Sequence, residues 1–163
     1  MSELQCLMYV STATCDLGVR DILGILGNAT ELNRRDGVHG MLLLSDGDFM
    51  QCIEGEVAGV ESTYARIRAS RKHHEIVELR RSTVAQLQFS GWDWGFQSGF
   101  LREFSNPETA RFLETPQKDL QDVWEQITPE KKILREFWET RDRPFRIWKQ
   151  ANAHSGSVEM RLV

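Results

Sequence analysis

The sequence predicts an α+β domain: one sheet in β-α-β-β-α-β-β order, with two helices packed on one face. Three observations predict it. Two helices, the first with a 3.6-residue apolar period, each follow a strand. An Asp46-Gly47 turn joins two apolar strands near the middle of the chain. Both of those strands are apolar at both parities, as in a sheet covered on its two faces.

Leu4 to Val10 form the first strand, with Cys6, Met8 and Val10 on one side and Leu7 and Tyr9 on the other. Thr14 or Asp16 can cap the first helix, whose stripe is Ile22, Leu23, Ile25, Leu26 and Ala29. That stretch also carries Gly18, Gly24 and Gly27, which mark either a tolerated weakness or a close approach of another surface. Val38 to Ser45 form the second strand and Phe49 to Glu54 the third. In the third, alternation sets Phe49, Gln51 and Ile53 on one face and Met50 and Cys52 on the other. A buried amide without partners costs about 1–3 kcal/mol, so Gln51 needs something to bind.

The second helix runs from about Val57 to Ser70 and ends in the basic stretch Arg66 to His74. Taken alone, that stretch reads as a charged helix end complementing the dipole. A fourth strand follows at Ile76 to Val84 and a fifth at Trp92 to Phe100, completing a ferredoxin-like pattern. Cover for the second face comes from the C-terminal third. Asn106-Pro107 starts one helix. Leu120, Val123, Trp124 and Ile127 form a helical stripe, and Ile133, Leu134, Phe137 and Trp138 form another begun at Thr128-Pro129-Glu130. Phe145, Ile147 and Trp148 add a short piece, and the polar tail from Asn152 is expected to be mobile.

Composition excludes several classes. A chain of 163 residues with 40% hydrophobic content can bury a real core, and a net charge of −4 exerts no global pull toward nucleic acid. No apolar run approaches the roughly 20 residues that span a bilayer, and the N-terminus lacks a signal-peptide layout. Cys6, Cys15 and Cys52 are an odd set without a CxxC spacing, which points to a reducing cytoplasm. Phosphate-binding glycine loops, a GxSxG elbow and metal-ligand spacings are missing. His73-His74 reads as a solvated helix end.

Singly, Asn33 reads as a helix-terminal or turn residue, Tyr9 as a core aromatic, and Gln51 as a polar strand residue at a sheet edge. In order and with their flanks they say more. Leu7-Met-Tyr9-Val-Ser11, Asn33-Arg-Arg-Asp-Gly-Val-His-Gly40, Gly40 to Gly55, Arg71-Lys-His73 and Phe89-Ser-Gly-Trp92 together resemble a BLUF domain, the blue-light sensors that use FAD, over residues 3 to 100. The resemblance implies a short stand-alone photoreceptor: a flavin-binding domain at 1–103, a helical cap at 104–150 and a flexible tail at 151–163. It implies FAD held non-covalently by Tyr9, Ile25, Asn33, Gln51, Lys72 and His73, with Ile22 also near the ring.

The flavin edge presents C2=O, N3–H, C4=O and N5, and a primary amide offers one acceptor and two donors to match them. The resemblance implies that Tyr9 is the electron donor, that a proton moves through Gln51, and that Gln51 is left rotated or tautomerised, which shifts absorption to the red. No catalysis is implied. Output passes by contact through Trp92 and Trp94 to the C-terminal helices, and from them to a second copy or a separate effector protein.

Two positions depart from the family pattern: Leu32 stands where Asn or His is usual, and Trp94 stands where Met is usual. A competing reading keeps the fold as a ligand- or RNA-binding module without photochemistry. Another is a flavoenzyme, for which no nicotinamide site is visible.

Overall fold

A tight hairpin fixes the centre of the sheet. β2 (His39–Ser45) and β3 (Asp48–Glu56) pair antiparallel with Ser45 opposite Asp48, leaving only Asp46 and Gly47 between them. Both turn residues have positive φ, 47° and 78°, as in a type I′ turn, whose twist matches that of the strands it joins. The computed structural model describes residues 2–14, 17–90, 94–98, 107–120 and 127–140. In it β1 (Leu4–Ala13) pairs antiparallel with β3, and β4 (His73–Val84) pairs antiparallel with β1. β5 (Trp94–Ser98) runs parallel to β2. The order β4-β1-β3-β2-β5 makes β3 the central strand, so Gln51 is not at a sheet edge. The fold is the expected α+β, ferredoxin-like arrangement, with a fifth strand added beside β2.

Strand alternation sorts the core into two layers. Leu7, Tyr9, Leu42, Leu44, Phe49 and Ile53 face α1 (Val19–Arg35) and α2 (Val57–Ala69), which contribute Ile22, Val60 and Tyr64. Cys6, Met8, Val10, Met41, Leu43, Met50 and Cys52 face the opposite way. There Phe89, Leu113 of α3 (Pro107–Glu114) and Ile133, Leu134, Phe137 and Trp138 of α4 (Pro129–Glu139) cover them. The expected cap on the second face is therefore present. Thr128 caps α4, its hydroxyl accepting from the Lys131 N–H at 3.4 Å, with Pro129 in the first turn. Buried Arg135 ties α3 to α4, donating to the Phe112 and Thr115 carbonyls at 2.8 Å each.

Local details differ from the sequence expectations. α1 is capped at Gly18, where the Asp21 carboxylate reaches back to accept the Gly18 N–H at 3.1 Å. Thr14 instead donates to the Arg71 carbonyl, and Asp16 lies outside the described residues. A β-carbon added at Gly24 or Gly27 would meet no neighbouring atom within 4 Å, so no described surface closes on either glycine. α2 ends at Ala69, which places His73-His74 at the start of β4 and not at a helix end. The stripe expected from Leu120 to Ile127 begins as a 3₁₀ turn at Gln117–Leu120. Val123, Trp124, Phe145, Ile147, Trp148 and the tail lie outside the described residues.

Candidate functional site

Gln51 sits where three strands meet on the α1/α2 face. It lies opposite Tyr9 of β1 on one side and Leu42 of β2 on the other. Directly opposed residues bring their side chains within reach, and the Tyr9 hydroxyl donates to Gln51 Oε1. Both residues are buried, Tyr9 at 3% exposure and Gln51 at 5%. Burial, and after it the nearby Tyr64, push the Tyr9 phenol well above its ordinary range. Tyr9 therefore holds its proton at neutral pH. Its ring is 5.8 Å from that of Tyr64 and 6.2 Å from that of His73.

Asn33 reaches the same place from the last turn of α1, and the end of that helix is built to hold it. The Gly37 N–H donates to Arg34 O and the Val38 N–H to Asn33 O at 2.8 Å, a Schellman termination. The motif needs a left-handed residue after the cap, and Gly37 has φ +64°. Asp36 at the cap is paired with Arg66 of α2. The Asp36 carbonyl also lies so near Gly59 that a β-carbon there would approach it to 2.4 Å. Helix α1 thus ends pressed against the first turn of α2, with Asn33 buried between helix and sheet.

A cavity of about 240 Å³ opens between these elements. Its floor is Tyr9, Leu42, Phe49 and Gln51; Ile25, Asn28, Ala29, Leu32 and Asn33 of α1 form one wall. Thr63, Arg66 and Ile67 of α2 form the other, with Ser70, Lys72 and His73 beyond its end. All six residues expected from the sequence, Tyr9, Ile25, Asn33, Gln51, Lys72 and His73, line this one cavity. Ile22 is buried in the core layer and is absent from the lining. His73 is fixed at both ring nitrogens: Nε2 is 2.8 Å from the Ile67 carbonyl and Nδ1 is 2.7 Å from Ser11 Oγ. A carbonyl only accepts, so Nε2 carries a proton, and the Ser11 hydroxyl can accept from or donate to Nδ1. Trp94 opens β5 opposite Gly40, and Trp92 lies outside the described residues.

Asn28 and Arg66 join the lining without having been expected there. The signal for Asn28 is the helix period, since it is three residues from Ile25 and four from Leu32 on one face. Arg66 belongs to a stretch whose composition alone reads as a solvated helix end, which hides its place in the wall.

The donor set suits a flat heteroaromatic ring with an edge of alternating acceptors and donors. Amides supply both kinds of hydrogen bond, apolar side chains supply the walls, and Arg66 and Lys72 supply positive charge. Residues 4–95 match the family model described as BLUF, sensors of blue-light using FAD. The chain belongs to the BLUF family. A photoactivated adenylate cyclase subunit beta of Euglena gracilis is 30% identical over 85 residues, 52% of this chain and 10% of that protein. The dark-state structure of BlrB, a BLUF protein, is 26% identical with a TM-score of 0.60, covering 82% of this chain and 92% of that one. Klebsiella pneumoniae BlrP1 with FMN and cyclic diGMP has the same fold at 24% identity and a TM-score of 0.60, covering 83% and 34% of the two chains.

This chain thus spans about a tenth of the curated cyclase relatives. As a BLUF chain it is a flavin-binding blue-light sensor, and the RNA-binding reading of its sheet is not favoured. No helix among the described residues is long and apolar enough to cross a membrane.

Proposed function

We propose that Tyr9 and Gln51 form the light-operated switch of this sensor, with Asn33 holding the ring edge between α1 and α2. The observation that carries the reading is the Tyr9 hydroxyl donating to Gln51 Oε1 at the floor of the cavity, with both residues buried. When bound, the flavin supplies blue-light absorption and an excited state that takes an electron from a nearby phenol. The chain's residues do the rest. Tyr9 Oη holds the proton that Gln51 Oε1 is placed to receive. Once the electron and that proton have both returned to Tyr9, the Gln51 amide is left in a different hydrogen-bonding arrangement, rotated or tautomerised. Asn33 orients the ring by accepting and donating with one amide, and Ile25 packs on it. Lys72 and Arg66 offset phosphate charge, and His73, locked by Ser11 and Ile67, shapes the passage beside them.

The cofactor of this reading is FAD; FMN would make the same ring contacts, and extraction followed by chromatography of the released flavin distinguishes them. The chain acts as a sensor and not as an enzyme, in the cytoplasm. Residues 1–103 form its flavin-binding part and 104–150 its cap. Trp92, Trp94 and the cap carry the signal to a second copy or a separate effector protein. Purified protein should be yellow and show a reversible red shift under blue light. Tyr9→Phe should keep the flavin and lose the shift. Colourless protein, or a shift that survives Tyr9→Phe, would overturn the assignment.

A further inference from the structure

Glu54 is the one described carboxylate with zero exposure, and it sits three residues from Gln51 on the same strand. Alternation turns it to the opposite face, under the cap. Its Oε1 accepts the Phe89 N–H at 2.6 Å, and Oε2 has no hydrogen-bond partner among the described residues. Phe89 is itself fully buried in the connection from β4 to β5. A buried loop N–H needs an acceptor, and a side chain of the central strand supplies it.

The same loop is gripped from the other side by the start of α4. The Thr128 hydroxyl donates to Gln88 Oε1, and Gln88 Nε2 donates to Glu130 at 3.4 Å. Glu130 is anchored in turn by Arg80 at 2.7 Å and Ser82 at 3.0 Å on β4. The Lys131 ammonium lies 5.4 Å from the centre of the Phe89 ring.

We propose that Glu54 is the positioning residue that couples the flavin side of β3 to the α4 cap, through the Phe89 N–H and the loop that Thr128 and Glu130 hold. This rests on the switch reading above. Its content is a second route out of the site. The route through β5 crosses two strand boundaries, from Gln51 to Leu42 and then to Phe96. The route through Glu54 crosses none before it reaches the cap, because Gln51 and Glu54 share one backbone about 10 Å apart. A displacement of β3 at Gln51 moves the Glu54 carboxylate, and with it a loop backbone pinned to α4.

The test compares hydrogen exchange of the α4 amides in darkness and under blue light in flavin-loaded protein, alongside the flavin absorption shift. Wild type should show both a red shift and a light-dependent change in α4 exchange. Glu54→Leu removes the acceptor of the Phe89 N–H, Gln88→Leu removes the side chain held by Thr128 and Glu130, and Glu54→Gln keeps an acceptor and serves as the control. The two leucine variants should retain the red shift and lose the α4 response, and Glu54→Gln should keep both. A red shift with an unchanged α4 response in either leucine variant, or a response lost in Glu54→Gln, would overturn the coupling and leave the switch standing. So would a wild type that shifts colour without any response in α4. A wild type that does not shift at all removes the switch, and the coupling with it.

Discussion

The two faces of this sheet are made by alternate residues of the same strands, yet they are finished differently. Toward α1 and α2, β3 presents Phe49, Gln51 and Ile53, and the space above Gln51 is left as a cavity lined by amides and cations. Toward α3 and α4 it presents Met50, Cys52 and Glu54, and Phe89, Leu134, Phe137 and Trp138 fill the space, each 3% exposed or less. One face is shaped for a ligand and the other for packing. A strand between them can be polar at its centre because each polar side chain has a partner: Tyr9 for Gln51, the Phe89 N–H for Glu54. The contrast also locates the cost of damage. Loss of volume should hurt the packed face most, and loss of a hydrogen bond should hurt the cavity face most in function.

Breaking the packed face gives the largest expected effect. Trp138→Ala should lower unfolding stability by about 3–5 kcal/mol, as large-to-small changes in a filled core do; urea unfolding measures it. A loss below about 1 kcal/mol would mean that α4 is not part of the cooperative core. On the cavity face, Tyr9→Phe should abolish the light-induced shift. Its stability cost should be only about 1–3 kcal/mol, since it strands one buried acceptor, Gln51 Oε1, and leaves the volume nearly unchanged. A third change sharpens the comparison within the cavity. Leu32 lines it where the family usually has a polar residue. Leu32→Asn should tighten flavin binding by about 1 kcal/mol, roughly fivefold in Kd, by adding one hydrogen bond. Fluorescence titration with flavin reads this, and weaker binding would show that Leu32 serves as an apolar wall.

The pattern of apolar parities in the sequence announces both faces. Tyr9 and Gln51 are legible because a period of two leaves no choice of face once Leu7 and Ile53 are assigned to the core. Asn33 is legible only through its flanking Asp36-Gly37, since a helix-terminal Asn has many uses, and its burial depends on the Asp36 carbonyl seating against Gly59 of α2 and the Gly37 carbonyl against Gly55 of β3. Strand order and the parallel β5 lie beyond the sequence, because neighbours in a sheet are set by long-range pairing. The α1 cap escapes a reading of local letters because Asp21 reaches backward to Gly18, whereas Thr14 and Asp16 look like better caps. Glu54 is visible as a letter in a motif but not as a buried group, for its acceptor role depends on a loop 35 residues away. Arg135 is hidden likewise, its carbonyl partners lying 20 and 23 residues back in the chain.

The smallest effect tests whether the packed face holds two carboxylates of opposite character. Burial raises Glu54 above the usual carboxylate value, and the N–H groups of Phe89 and Gln88 offset this only in part. Burial would raise Glu130 as well, but hydrogen bonds from Arg80, its own backbone and Ser82 overcome it and hold Glu130 low. The signs follow from proton linkage. A raised folded value means the native state binds the proton more tightly. Glu54 therefore favours the native state most at pH below the unfolded value, and that contribution is lost as pH rises through its folded value. A lowered folded value does the reverse: Glu130 stabilises above the unfolded value, and its contribution fades as pH falls through its folded value. Urea unfolding between about pH 3 and 7 should separate them. Glu130→Gln should flatten the loss of stability on acidification, and Glu54→Gln should steepen it, because the variant lacks the compensating gain. Matching pH profiles for the two variants would mean that the cap treats both carboxylates alike.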